Sequence, residues 1–179
     1  MTLQLEPITQ TSRFWADVNH LAKEAFPPEE YLAPSTLVEM AKDDNFDFWA
    51  LTDEGAFAGF MVVQTFGDLA YLFFLAIDSD VRSKGYGSQA IETLKAAYPG
   101  KKQVVDFEMI NPSAPNLAQR EKRKAFYLRN GYQETGLFLS YLGVDYEVLC
   151  MDRDFDPDAF RTMMATLRVE GFHPVYFTK

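Results

Sequence analysis

Residues 71–77 read Tyr-Leu-Phe-Phe-Leu-Ala-Ile, an unbroken apolar run that constrains the fold more than any other segment. A half-buried strand alternates apolar and polar residues, whereas a strand covered on both faces does not, so this run is predicted in the middle of a sheet. After it come Arg82-Ser83-Lys84-Gly85-Tyr86-Gly87 and then a helical segment, Ser88–Tyr98, with Ala90, Ile91, Leu94, Ala97 and Tyr98 on one face and Pro99-Gly100 as its stop. A helix start offers unpaired N–H groups and the positive end of the helix dipole to one small volume, which favours an anion. Gly85 and Gly87 lack the Cβ that would hold a phosphate off those amides, and Arg82 and Lys84 add positive charge. The junction reads as a cradle for a diphosphate, or as an ordinary glycine turn before a helix.

Around this junction the chain reads as alternating elements. Leu3–Ile8 alternates as a strand, and Phe14, Val18, Leu21, Ala22 and Ala25 recur at helical spacing up to Phe26-Pro27-Pro28. Pro34-Ser35 opens a second, short helix. Phe46–Thr52 and Ala56–Phe66 form a hairpin through Asp53-Glu54-Gly55, and Gly67-Asp68 makes the next turn. Gln103–Ile110 is the strand after the helix. Such strand–helix–strand crossovers are right-handed in nearly all cases, which puts the glycine turn at the carboxyl end of the central strand, where ligands collect. Tyr132–Leu142 and Val144–Met151 pair through Gly143. Asp156-Pro157 opens a last helix, with Phe160, Met163, Met164 and Leu167 as its stripe and Gly171 as its close, and His173–Phe177 is a final short strand. The expected organisation is one domain over 1–154 with a helix–strand extension, 155–179, packed on it.

A chain of 179 residues with 47% apolar and 15% aromatic content can fill one core. No stretch of about 18 apolar residues is present to cross a bilayer, and Met-Thr-Leu-Gln-Leu-Glu-Pro has no basic-then-apolar leader pattern. A cytoplasmic protein is expected. Cys150 is the only cysteine, so no internal disulfide and no thiolate cluster can form, and His20 and His173 are too far apart in sequence to suggest a metal pair. No metal is expected. With 17 basic and 26 acidic residues the net charge of −9 opposes a polyanion partner, so nucleic acid is not expected even though Arg120-Glu121-Lys122-Arg123-Lys124 is locally basic.

The pattern Arg-x-x-Gly-x-Gly at Arg82, Gly85 and Gly87 resembles the acyl-coenzyme A loop of the GNAT superfamily of N-acetyltransferases. A second stretch, Arg123-Lys124-Ala125-Phe126-Tyr127-Leu128-Arg129-Asn130-Gly131-Tyr132, is similar to that superfamily's helix-to-strand passage, in which a tyrosine precedes a Gly-aromatic pair by four residues. The resemblance covers roughly residues 55 to 150. It implies an α/β (α+β) fold with a mixed, mostly antiparallel sheet, a parallel central pair splayed at the cofactor site, and helices on both faces.

The resemblance also implies acetyl transfer from acetyl-coenzyme A to an amine of a small molecule or peptide by direct attack, in a monomer or homodimer. The backbone of Leu75, Ala76 and Ile77 is then expected to pair with the pantetheine arm and polarise the thioester, with Arg82, Ser83, Lys84, Gly85, Tyr86, Gly87 and Ser88 at the phosphates. Arg120, standing where the family often has Asn, is a further candidate phosphate contact. Tyr127 matches the tyrosine that protonates the leaving thiolate. Several members carry a glutamate near the start of the central strand, where Tyr71 stands here. Glu108 is the alternative general base, and Glu29, Glu30 and Tyr31, with Tyr71, are the acceptor-binding candidates.

Two other functions fit parts of this pattern. A module that binds acyl-coenzyme A without turning it over would account for the missing glutamate. Gly85-x-Gly87-x-x-Ala90 with Asp106 about 20 residues on also meets a dinucleotide pattern, but the seven residues Asp78–Lys84 between strand and glycine fit a nicotinamide-binding oxidoreductase poorly.

Overall fold

The computed structural model describes residues 3–179, apart from the side chain of Ser83. Among the described residues the elements run β1 (Gln4–Pro7), α1 (Trp15–Ala25), α2 (Pro34–Met40), β2 (Phe46–Asp53), β3 (Ala56–Phe66), β4 (Leu69–Ile77), a short 3-10 helix (Ser79–Lys84), α3 (Tyr86–Ala97), β5 (Lys102–Glu108), α4 (Leu117–Arg129), β6 (Gln133–Tyr141), β7 (Val144–Cys150), α5 (Pro157–Ala165) and β8 (Val175–Thr178). They fall into two compact units. The first runs to Thr65 and takes up Ala70–Lys101, and the second comprises Phe66–Leu69 and Lys102–Lys179. No helix among the described residues is long and apolar enough to cross a membrane.

In the first unit the strand order is β1-β2-β3-β4. β1 lies antiparallel on β2 with Leu5 opposite Leu51, and β2 on β3 with Phe48 opposite Val62. The apolar spacing of α1 buries Val18, Leu21 and Ala22, and the helix ends where Phe26 turns extended (φ −120°, ψ 135°), since a residue before proline is driven out of the helical region. Phe48, Phe60, Ile91 and Leu94 are fully or nearly fully buried. α3 is tied down at several points: the Thr93 hydroxyl accepts the Leu3 N–H at 2.8 Å, and the Tyr98 hydroxyl donates to Asp47 at 2.6 Å while accepting the Trp49 indole N–H at 2.8 Å.

β4 departs from the expectation of a strand covered throughout. Leu69 to Leu72 are buried, but Phe73, Phe74 and Leu75 are only half-buried before Ala76 is covered again. Adjacent strand residues normally point to opposite faces, yet the Phe73 and Phe74 rings lie 4.5 Å apart, so the pleat is irregular there. The unbroken apolar run located the strand and gave no sign that its second half is partly open.

In the second unit the order is β5-β7-β6-β8, with antiparallel pairing throughout. The β6–β7 register slips between Glu134 and Phe138, where Gly136 takes a φ of +75° and the Thr135 hydroxyl donates to the Val148 carbonyl at 2.7 Å. Asp156 caps α5 by accepting the Asp158 N–H at 2.9 Å, and Pro157 follows it as expected. The helix stops at Ala165 rather than near Gly171. Thr166 ends it by donating both its N–H (3.0 Å) and its hydroxyl (2.6 Å) to the Met163 carbonyl, so Leu167 is buried from beyond the helix. Gly171, at φ +76°, serves the turn that leads to β8, whose Phe177 lies opposite Phe138 of β6.

Candidate active site

The turn after β4 is built from backbone. The Asp78 N–H donates to the Ala58 carbonyl at 2.9 Å, and the Asp78 carboxylate accepts the Asp80 N–H at 3.0 Å, which starts the 3-10 helix. Gly85 then adopts φ +75°, a left-handed conformation that a glycine enters without strain, and becomes the N-cap of α3. No side chain caps this helix, and the first turn is closed by the Gln89 N–H on the Gly85 carbonyl at 3.2 Å. The donors at the start of α3 are therefore left to a ligand or to water. Nothing lies within 4 Å of the place where a Cβ on Gly85 would be. Open space, uncapped amides and the dipole of a twelve-residue helix fit a diphosphate.

Around this cradle Lys84 is exposed, while the Arg82 Nε donates to the Ile77 carbonyl at 3.1 Å and its guanidinium meets Glu24 at 3.6 Å. Tyr86 is buried, and its hydroxyl donates to Asp53 at 2.5 Å. The side chain of Ser83 lies outside the described residues. On β4, Gly59 of β3 approaches so closely that a Cβ there would come within 2.2 Å of the Ala76 carbonyl oxygen. Glu29, Glu30 and Tyr31 form the turn after α1, in which the Glu30 and Tyr31 N–H groups both donate to the Pro27 carbonyl at 3.0 Å. Tyr71 is fully buried and packs its ring 5.7 Å from that of Phe73.

In the second unit Tyr127 is buried on α4, stacked 5.7 Å from Phe107 and edge-on to Tyr132 at 5.3 Å. Burial pushes its phenol up to about 12, against the opposing pull of the positive Arg123. Glu108 ends β5 as a buried carboxylate. Arg120 meets it at 2.6 Å, Asn116 donates to it at 3.1 Å and Arg123 stands at 3.9 Å. The remaining Arg120 donors reach the Asn116 side-chain oxygen at 2.8 Å and the Met109 carbonyl at 2.9 Å. Cys150 is fully buried, and burial pushes its thiol up to about 11, away from a nucleophile.

Residues 44–134, just over half of the chain, match the family model described as the acetyltransferase (GNAT) domain. The chain belongs to the GNAT acetyltransferase family. No curated protein matches it in sequence. Its structure is similar to one from Bacteroides thetaiotaomicron assigned to the GNAT family, at 24% identity and a TM-score of 0.73, over 92% of this chain and 97% of that one. It is also similar to an aminoglycoside 6'-N-acetyltransferase complexed with coenzyme A (18% identity, TM-score 0.63, 86% of this chain and 100% of that one). The ribosomal-protein-S18-alanine N-acetyltransferase of Escherichia coli aligns at 17% identity with a TM-score of 0.59, over 86% of this chain and 98% of that one. These likenesses are of fold, and they carry the class expected from the sequence, a mixed α/β fold with mostly antiparallel strands.

Within this GNAT chain the structure brings Glu108 and Arg120 together, and it brings Arg82 to the end of β4. Asn116, which with Arg123 completes the cluster at Glu108, was not singled out from the sequence, and Arg123 stood there only within a basic run and the family-like stretch. The Asn116/Arg120 spacing of four residues on one helix face was the available signal. Among the described residues no group of His, Cys, Asp and Glu is arranged to hold a metal ion.

Proposed function

We propose that this acyltransferase moves the acetyl group of acetyl-coenzyme A to a primary amine by direct attack. The observation that carries the reading is the uncapped start of α3 behind Gly85, where the Arg-x-x-Gly-x-Gly sequence leads from the 3-10 helix after β4 into α3. In this reading the amides of residues 85–88 hold the diphosphate, with Lys84 beside it, and Arg82 braces the turn through the Ile77 carbonyl. The backbone of Leu75–Ile77 lies along the pantetheine arm, and one of its N–H groups polarises the thioester carbonyl.

The amine lone pair attacks the carbonyl carbon, the new N–C bond forms, the C–S bond breaks, and the thiolate takes a proton from the Tyr127 hydroxyl. A phenol pushed up to about 12 by burial carries its proton at neutral pH, the state from which a general acid must start. Glu108 was the candidate base. With Arg120 at 2.6 Å and Asn116 at 3.1 Å, its carboxylate is engaged by donors, and we assign it to anchoring the start of α4, with the amine proton leaving to water. Arg120, turned toward Glu108 and Met109, belongs to the same anchor rather than to a phosphate.

Release of free thiol from acetyl-coenzyme A in the presence of a panel of amines tests the reading. Amine-dependent release supports it. Measurable coenzyme A binding with no release for any amine would instead favour a binding module.

A further inference from the structure

On this acetyltransferase reading, which the following rests upon, we propose that the acceptor is a small amine carrying an aromatic ring, an arylalkylamine, rather than a polar polycation. The observation is an aromatic wall in the first unit. Phe26, at the end of α1, meets Phe74 edge-on at 4.8 Å, and Phe74 meets Phe73 at 4.5 Å. All three rings are half-buried, whereas Phe60, behind Phe26 at 6.2 Å, is fully buried.

Large apolar side chains left part-open side by side mark a surface that a ligand or partner covers. Phe73 and Phe74 also sit immediately before Leu75–Ile77 in the strand. At about 3.3 Å per residue, the backbone of Phe73 and Phe74 stands roughly 3–13 Å from that of Leu75–Ile77, which is assigned to the thioester. An aromatic ring joined to an amine by a short chain fits within that span.

Charge narrows the class further. Glu29, in the turn that follows Phe26, is exposed and can meet an ammonium, whose approach over the ring faces is also favourable. The nearby Glu24 is already engaged by Arg82 at 3.6 Å. A polycation such as an aminoglycoside needs several carboxylates and hydroxyl-binding groups, and Phe26, Phe73 and Phe74 offer it neither.

The test compares kcat/KM for phenethylamine, ethanolamine, spermidine, kanamycin and a short peptide with an N-terminal phenylalanine, in the native chain and in Phe74→Ala. The expected result is a preference for phenethylamine over ethanolamine of about tenfold or more, which collapses in Phe74→Ala. Should that variant fail to fold, Phe26→Leu, at the open rim of the wall, reads the same ratio. Equal use of ethanolamine, or a preference for spermidine or kanamycin, overturns this inference and leaves the acetyltransferase reading standing. A preference for the peptide overturns the commitment to a small amine. No thiol release with any of the five overturns both.

Discussion

The Tyr86 hydroxyl donates to the Asp53 carboxylate at 2.5 Å, joining the first residue of α3 to the last residue of β2. The bond raises the Tyr86 phenol above its ordinary value, because the carboxylate acceptor favours the protonated form. Its structural consequence is that the turn residue between Gly85 and Gly87 is moored by its side chain while its backbone faces the cradle. Tyr98 and Asp47 moor the other end of α3 in the same way. Tyr86→Phe and Asp53→Asn should therefore each weaken coenzyme A binding by roughly three- to tenfold with a smaller effect on kcat. Calorimetric titration with coenzyme A and steady-state kinetics measure the two. Equal loss in kcat with unchanged affinity would contradict a mooring role.

Gly59 supports the same region from β3. A methyl group at that position would meet the Ala76 carbonyl oxygen at 2.2 Å, and because the obstacle is backbone, β3 or β4 must shift. Gly59→Ala is expected to destabilise the fold by about 1–3 kcal/mol and to weaken coenzyme A binding. Chemical denaturation and titration report both effects, and a variant as stable as the native chain would show that the strands are not that closely set.

Tyr127→Phe should leave coenzyme A affinity nearly intact and lower kcat, because the hydroxyl acts only as thiolate develops. The pH dependence has a definite sign. A phenol raised from about 10 to about 12 by burial favours the folded state below its unfolded value, and that contribution is lost as pH rises from about 10 through 12. Stability of the native chain should fall over that window more steeply than that of Tyr127→Phe. For the same reason, any alkaline fall in kcat below about pH 10 should persist in the phenylalanine variant.

The Glu108–Arg120 pair is buried on both sides, with side-chain exposures of 8% and 14%. Removing one partner leaves the other charge without its counterpart, so Glu108→Ala and Arg120→Ala should each cost about 3–5 kcal/mol. The double variant should cost clearly less than the sum. Glu108→Gln, which keeps the Asn116 contact, should retain acid and neutral activity without shifting the acidic limb of the kcat profile. A loss of that limb would return the carboxylate to the role of base.

What the sequence disclosed and what it withheld follow from the range of the interactions. The 71–77 run, Gly85 and the amphipathic face of Ala90, Ile91 and Leu94 are local signals, and they located β4, the turn and α3 closely. Asp156-Pro157 located the start of α5 for the same reason, whereas its end depends on Thr166 bonding back to Met163, which competes with continued helix in a way that apolar spacing does not show. Tyr86 with Asp53 and Tyr98 with Asp47 join residues 33 and 51 positions apart, and no spacing rule predicts them. The partial opening of β4 at Phe73–Leu75 was hidden because an apolar run looks the same whether protein or a ligand covers it. Glu108 was legible as a carboxylate in an apolar strand, and only the fold revealed that Arg120 faces it.

The amides that open α3 are the centre of this account, and a crystal structure of the protein soaked with coenzyme A tests them most directly. The diphosphate oxygens are predicted within about 3 Å of the backbone nitrogens of residues 85–88. Coenzyme A bound with its diphosphate elsewhere, and those amides facing only solvent, would contradict it.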